Sequence, residues 1–228
     1  MVLTLNEIDG MRAIMPKVRR EWVDQILVVD GGSTDGTIDY SRDQGYEVYV
    51  QRQPGIRKAY EESWPLIRGD IVITFAPDGG SIPELIPPLI GKMREGYDMV
   101  IVSRYREGAR SEDDDLVTAF GNWMFNRLIN LCYGANYTDC MVMYRAYRRN
   151  LAYELKIFED KAYQPMERML GTVAGCEPLL SIRAAKRRMR IGEIPGDEPK
   201  RVGGERKLQV VRWGLTYFAQ IFKELFTP

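Results

Sequence analysis

The run Ile71-Val72-Ile73-Thr74-Phe75 is apolar and β-branched almost from end to end. A strand of that kind belongs inside a sheet covered on both faces, because a solvated face would show alternating polar residues. It stops at Ala76-Pro77, and Asp78 follows directly with Gly79-Gly80 behind it. Glycines there allow a sharp turn and a close approach of ligand to backbone. In open α/β sheets ligands sit outside the carboxyl ends of the strands, which is where this carboxylate would stand. Taken alone, Pro-Asp-Gly-Gly would read as a surface turn.

A second strand end makes the ligand reading the better one. Ile26-Leu27-Val28-Val29 runs into Asp30-Gly31-Gly32-Ser33-Thr34-Asp35-Gly36-Thr37. A carboxylate at a strand end, small residues, then Ser/Thr/Asp at a helix start is how such folds present a polar pocket. Asp30 can accept hydrogen bonds from a nucleotide base or ribose. The alternative is an Asx turn before the helix from Thr37, for which Asp35 alone suffices.

Around these anchors strands are predicted over 1–5, 46–50 and 99–102, and helices over 8–20, 59–67 and 82–95, the last opened by Pro83-Glu84. Strand and helix alternate, which predicts a doubly wound α/β sheet. Arg57 and Lys58, ahead of the third helix, can face a phosphate or form a solvated pair. Beyond residue 105 the polar stretch 108–115 is predicted to be a mobile loop, followed by an amphipathic helix over 119–133. A helix around 166–174 carries Glu167, and 190–195 reads as a late edge strand closed by Pro195. A basic, Gly-containing loop spans 201–207. Leu208, Val211, Leu215, Phe218, Phe222 and Leu225 then recur at helical spacing. That helix docks on the domain or on a partner; interfacial membrane binding is the sharper alternative.

Composition narrows the chemistry. The 228 residues suit one large α/β domain, or at most two small ones. Lysine plus arginine and aspartate plus glutamate each number 32, so the net charge of zero gives no argument for nucleic acid. There is no histidine, which excludes a His-based triad, a His proton shuttle and His metal ligation. Cys132, Cys140 and Cys176 lack the close pairing of zinc and iron–sulfur sites and suit small core positions in a reduced compartment. No apolar run is long enough to span a bilayer, and no signal-peptide pattern is present.

With both anchors placed, the order of motifs resembles a family 2 glycosyltransferase of the GT-A fold. Leu3-Thr4-Leu5-Asn6-Glu7 is similar to the family's first-strand motif. Val28 to Thr37 resembles Val-Val-Asp-Asp-Gly-Ser-x-Asp-Gly-Thr, the most specific match. Phe75-Ala76-Pro77-Asp78-Gly79 sits where the family has its Asp-x-Asp metal motif. Ser103-Arg104-Tyr105, Thr138-Asp139, Tyr144-Arg145-Ala146 and Glu193-Ile194-Pro195 follow in order. Arg201-x-x-Gly204-x-x-Lys207 matches the late Arg-x-x-Gly-x-Ser-Lys element except at its serine, here Arg206. The likeness spans nearly the whole chain and is nearest to the dolichyl- or polyprenyl-phosphate sugar transferase branch. Two positions depart from it: Ala76 replaces the first carboxylate of Asp-x-Asp, and Gly80 stands where the branch often has Gln or Asn.

The resemblance implies a GT-A (Rossmann-like) domain over 1–207, with a mixed, mostly parallel sheet flanked by helices. A nucleotide-binding half of about 1–105, an acceptor half of about 106–207 and a C-terminal amphipathic helix over 208–228 would complete it. It implies an inverting, metal-dependent hexosyltransferase using a nucleotide-sugar donor, GDP-mannose or a UDP-sugar, and a polyprenyl phosphate acceptor. Asp78 would hold Mg2+ or Mn2+. Asn6, Glu7, Asp30, Gly32 and Ser33 would line the donor, with Arg57 and Lys58 near phosphate. Arg201 and Lys207 would meet pyrophosphate or acceptor phosphate, and Arg104 the acceptor phosphate. Asp139 would serve as base or acceptor-positioning group, or cap a helix; Glu159-Asp160 is a weaker candidate for the base. The implied location is cytoplasmic, peripheral at the membrane face, with oligomerisation left open and no nucleic-acid partner. A soluble or glycan hydroxyl acceptor, and a nucleotide-binding module without turnover, remain the alternatives.

Overall fold

The computed structural model describes residues 1–203 and 209–227. Strand and helix alternate through the first hundred positions, as the β-branched runs require: β1 (Val2–Thr4), α1 (Ile8–Ile14), β2 (Leu27–Asp30), α2 (Thr37–Asp43), β3 (Glu47–Val50), α3 (Ile56–Ser63), β4 (Ile71–Thr74), α4 (Ile86–Arg94) and β5 (Met99–Ser103). The rest comprises α5 (Leu116–Tyr133), β6 (Arg145–Arg148), α6 (Leu151–Glu154), α7 (Met166–Leu170), α8 (Glu177–Lys186), β7 (Ile191–Pro195) and α9 (Val210–Phe226).

The strands form two hydrogen-bonded groups, β3-β2-β1 and β4-β6-β5-β7. Beyond the ladders, the Leu3 N–H donates to the Phe75 carbonyl at 3.1 Å and the Phe75 N–H to the Met1 carbonyl at 3.0 Å, which joins β1 to the end of β4. β6 alone runs against its two neighbours. The other strands therefore share one direction, and the chain leaves β1, β2, β4, β5 and β7 along a single edge. That edge carries Glu7, Asp30, Asp78 and Arg104.

Two apolar layers cover the sheet, and β5 shows how one strand serves both. Met99 and Ile101 face a cluster with Trp64, Tyr147, Tyr163, Leu179 and Ile182. Val100 and Val102 face Met11, Met15, Phe75 and Leu89 beneath α1 and α4. Period-two alternation with apolar residues on both sides leaves 99–102 without a polar position, and Ser103 closes the strand. The Trp64 ring stacks on Tyr147 with centroids 5.8 Å apart.

Several boundaries differ from those predicted. The helix expected over 8–20 stops at Ile14, and Pro16 lies in a 3-10 turn, Met15–Lys17, because proline offers no N–H and its ring blocks the carbonyl four residues back. The helix expected to 174 ends at Leu170, where Gly171 turns left-handed at φ 58°. α8 had no sequence signature, since Pro178 through Ala185 are all buried and no polar face interrupts them. The stretch 108–115 is anchored where a mobile loop was expected. The Arg110 N–H donates to the Asp197 carboxylate at 2.8 Å, and the Glu112 N–H to the Glu198 carbonyl at 2.8 Å. Asp115 ends the stretch by capping α5 reciprocally with Thr118. α9 docks through Tyr217 and Ile221 and a buried Arg183–Glu224 pair at 2.7 Å.

Candidate functional site

At the end of β2, Asp30 is fully buried, and both its oxygens are taken by the chain. Oδ1 accepts from the N–H groups of Gly32 at 2.8 Å and Ser33 at 2.6 Å. Oδ2 accepts from the hydroxyls of Thr4 and Ser33, each at 2.7 Å. Four donors around one carboxylate leave it little to offer a ligand. In this structure Asp30 clamps the ends of β1 and β2 together and shapes the loop after them. Gly32 sits in that turn at φ 93°, a conformation open to glycine.

The loop after β1 is built on its neighbour in the same way. Asn6 accepts the Thr34 N–H at 2.9 Å and donates its own N–H to Ser33 Oγ at 2.7 Å. The Glu7 N–H donates to Thr37 Oγ1 at 3.0 Å. Asp35 receives Thr37 and the Ile8 N–H, so it ties the starts of α1 and α2. Burial works against its charge, but the hydrogen bonds from Thr37 and Ile8 hold its carboxyl below the usual carboxylate range.

α1 crosses the end of β4 at Gly10, where an added Cβ would lie 2.1 Å from the Pro77 carbonyl oxygen. This contact places Glu7, at the head of α1, beside Asp78. Arg201 joins the two acids: Nη1 donates to Asp78 Oδ2, and Nη2 donates to Glu7 Oε1 at 3.0 Å. Burial lowers the Arg201 guanidinium, but Asp78 and then Glu7 more than offset it, and its value is raised.

Glu7, Asp78 and Arg201 line one wall of a cavity of about 720 Å³. Leu5, Val29, Gly55, Val173 and Trp213 line it as well, and so does Ala76. The cavity thus has an apolar body with charged groups at two places, Glu7, Asp78 and Arg201 at the strand ends and Glu167 and Arg168 on α7, a make-up that suits a small-molecule site.

Arg57 and Lys58 do not line it. Arg57 is buried, donates to Asp160 and to Glu167 at 2.7 Å each, and lies 4.0 Å from the Tyr163 ring centroid. Lys58 pairs with Glu61 at 2.7 Å and Asp160 at 3.2 Å. The phosphate-facing role expected of them is not what their side chains do here, because carboxylates about a hundred residues away meet them first. Glu159, beside Asp160, pairs with Lys161 at 3.0 Å.

A second cavity, of about 270 Å³, lies between the first turns of α5 and α9. Arg104 lines it, with Asp114, Glu198, Phe125 and Met143. Asp139 is fully buried and holds Arg104 by both oxygens. Glu198 accepts from Arg104 at 3.0 Å, and Asp114 stands 3.9 Å away. Trp213, Met143 and Ile56 belong to both cavities and form the wall between them. Trp213 and Glu198 were not foreseen: the tryptophan lies off the apolar repeat of its helix, and a lone Glu after Gly196-Asp197 carries no signal. Lys207 lies outside the described residues.

The profile of glycosyl transferase family 2 matches residues 2–156. The chain belongs to this family. It is 27% identical to Glycosyltransferase AglJ of Haloferax volcanii over 98% of this chain and 70% of that protein. It is 29% identical to Undecaprenyl-phosphate mannosyltransferase of Micrococcus luteus, over 93% and 91% of the two chains. Against Dolichyl-phosphate hexose transferase of Haloferax volcanii the figures are 28%, 96% and 90%. Among solved structures, glucosyl-3-phosphoglycerate synthase from Mycobacterium tuberculosis, crystallised with Mn2+, UDP and phosphoglyceric acid, superposes with a TM-score of 0.70. At 22% identity, covering 100% of this chain and 78% of that one, it bears on the fold. The family 2 chain accordingly has the GT-A arrangement read from its motifs, with the parallel strands ending at one edge and α9 beyond them. Among the described residues no three Asp, Glu, His or Cys side chains gather to hold a metal by themselves, and no helix is long and apolar enough to cross a membrane.

Proposed function

We propose that this family 2 glycosyltransferase moves a hexose from a nucleotide-sugar donor, GDP-mannose or a UDP-sugar, to a polyprenyl phosphate, inverting the anomeric carbon. The observation that carries the reading is the meeting of Glu7, Asp78 and Arg201 on one wall of the larger cavity. An acceptor oxygen attacks the anomeric carbon, the bond to the diphosphate breaks, and negative charge grows on the leaving oxygens. Groups preset to meet that charge lower the barrier. Arg201 is a two-pronged donor suited to phosphate oxygens. Residues 1–105 form the donor half and 106–207 the acceptor half in this reading.

The donor set suits a hard divalent cation arriving with the diphosphate. Asp78 and Glu7 are carboxylates from two elements that both face Arg201, and Mg2+ is commonly held by one or two carboxylates plus phosphates and water. Mg2+ or Mn2+ held there with the donor would take charge off the leaving diphosphate. Asn6, Gly32 and Ser33 form the turn behind the donor, held by Asp30.

The acceptor enters by the second cavity, where Arg104 meets its phosphate and Asp139 keeps Arg104 in place. A phosphate acceptor is already an anion and needs no base. Leu116, Val117, Phe120 and Trp123 on α5, and Val211 and Leu215 on α9, are exposed apolar side chains near that cavity. They suit peripheral contact with a membrane surface. The relatives named for undecaprenyl-phosphate and dolichyl-phosphate transfer support the lipid acceptor. One observation favours a hydroxyl acceptor instead. Among the described residues Asp139, Glu198 and Asp114 surround Arg104, so these side chains together offer a phosphate no net positive charge.

Calorimetric titration with GDP and with UDP, each with and without Mn2+, tests the donor site. Metal-dependent binding of one nucleotide is expected, and the failure of both withdraws the catalytic reading. Transfer of labelled sugar to undecaprenyl phosphate, set against a panel of soluble hydroxyl acceptors, then separates the two acceptor classes.

A further inference from the structure

The segment that carries Arg201 is pinned over the end of β4. The Val202 N–H donates to the Asp78 carbonyl at 2.6 Å. At Gly79, φ 98°, a Cβ would come within 2.9 Å of the Val202 side chain and 3.2 Å of the Lys200 carbonyl. At Gly203 a Cβ would come within 2.9 Å of Asp9. Glycine at 79 and 203 thus lets two stretches of backbone lie closer than side chains allow, and Arg201 is delivered between them. Its two terminal nitrogens are committed to Asp78 and Glu7. Its Nε–H is buried with no hydrogen-bond partner, so this pairing leaves that nitrogen unmet.

We infer that Arg201 acts as a resident cation at the Glu7–Asp78 site and keeps a divalent metal out until a nucleoside diphosphate draws the guanidinium away. The inference rests on the reading of Asp78 as the carboxylate that meets the donor's metal. A guanidinium lying between these two carboxylates opposes a divalent ion at the same place, because like charges a few ångströms apart repel in a partly buried site. A diphosphate offers Arg201 a second anion that can use all three kinds of its N–H groups, the unmet Nε–H included. Its arrival frees the carboxylates at the moment the metal is wanted. Metal and nucleotide then help each other to bind through one side chain, and the coupling is equal in both directions. With Ala76 in place of the first acid of Asp-x-Asp, the two remaining carboxylates bind metal weakly, and Arg201 holds the site closed in the meantime.

Mn2+ binding by the protein, followed through the electron paramagnetic resonance signal of free Mn2+, tests this without any turnover. The proteins are the wild type, Arg201→Gln, Arg201→Lys and Arg201→Gln with Asp78→Asn, each alone and with GDP or UDP. Thermal melts confirm that each variant is folded. Without nucleotide, Arg201→Gln is expected to bind Mn2+ about tenfold more tightly than wild type, within the usual range of coupling between sites. Arg201→Lys keeps the charge and is expected to stay near wild type. The double variant is expected to lose the gain, which places the ion at Asp78. If wild type binds Mn2+ with a nucleotide but Arg201→Gln alone binds it no better than wild type alone, the inference fails and the metal reading survives. If Arg201→Lys gains as much as Arg201→Gln, charge is not the cause and the inference fails. If no protein binds Mn2+ with either nucleotide, the metal reading falls and takes the inference with it.

Discussion

Arg104, just past the end of β5, holds Asp139 by two prongs: Nε donates to Oδ2 at 2.6 Å and Nη2 to Oδ1 at 3.0 Å. Asp139 is fully buried, and the Arg104 backbone N–H adds a third bond at 3.2 Å. Burial pulls the Arg104 guanidinium down, but Asp139 outweighs it and the value is raised. A carboxylate engaged in this way positions the arginine and has no free oxygen for a proton. Asp139→Asn should therefore cost about 3–5 kcal/mol of stability, the usual result of removing one partner of a buried ion pair. Urea denaturation measures this. Unchanged stability with abolished turnover would instead mark Asp139 as a base.

Gly10 sets the distance between α1 and the Pro77-Asp78 turn. An added Cβ would meet the Pro77 carbonyl oxygen at 2.1 Å, and the obstacle is backbone. Gly10→Ala should cost about 1–3 kcal/mol as the turn is forced outward, and weaken nucleotide binding through Asp78. Gly91, on α4, is the control: nothing lies within 4 Å of its would-be Cβ, and Gly91→Ala should be neutral or stabilising. Thermal melts of the two variants, with calorimetry on Gly10→Ala, decide the matter.

The hydrogen bond from Arg57 holds Asp160 below the usual carboxylate range, although burial opposes it. A carboxyl whose folded value lies below its unfolded value stabilises the fold above the unfolded value, and that contribution is lost as pH falls through the folded one. With an unfolded value of about 3.9, the contribution is complete at neutral pH and fades below about pH 4. The Asp160 side chain is 63% exposed, so water screens the pair and the effect is small. Asp160→Asn should lose about 0.5–1 kcal/mol at pH 7. Denaturation at pH 7 and pH 3 should show the gap between variant and wild type narrowing on acidification; a constant gap would contradict the linkage.

Phe120 is 62% exposed and Val211 73% exposed, on the two helices that flank the second cavity. If these faces meet lipid, Phe120→Ser with Val211→Ser should lower binding to phospholipid vesicles about tenfold or more, since a buried apolar side chain contributes about 1.5–3 kcal/mol. Folding stability should stay within about 0.5 kcal/mol, as is usual for exposed positions. Co-sedimentation provides the reading, and undiminished vesicle binding would remove these faces from the lipid contact.

Much of the sheet edge that carries the candidate site was legible in the chain itself. The strand ends at Asp30 and Asp78 were visible because an apolar run ending in Asp-Gly is a local pattern, and both residues stand at the sheet edge as expected. The late edge strand and the C-terminal helix were visible for the same reason, through Pro195 and the helical repeat of 211, 215, 218 and 222. α8 was not, since a helix buried on every side has no period to read. Nor was the anchoring of 108–115, whose polar residues are satisfied by Asp197 and Glu198, 87 positions away.

The sequence alone determined an α/β sheet with carboxylates at its strand ends, and its motifs placed the chain among family 2 glycosyltransferases. Only the tertiary structure decided which charges are available to a ligand. Arg57 and Arg201 were equal candidates as residue types. Folding buried Arg57 against Glu167, 110 positions away, and brought Arg201 to Glu7, 194 positions away, on the cavity wall. Hydrophobic period and turn preference act over a few residues, so they are written in the sequence. An ion pair is chosen by proximity after loops of a hundred residues or more have closed, and no local pattern encodes that choice.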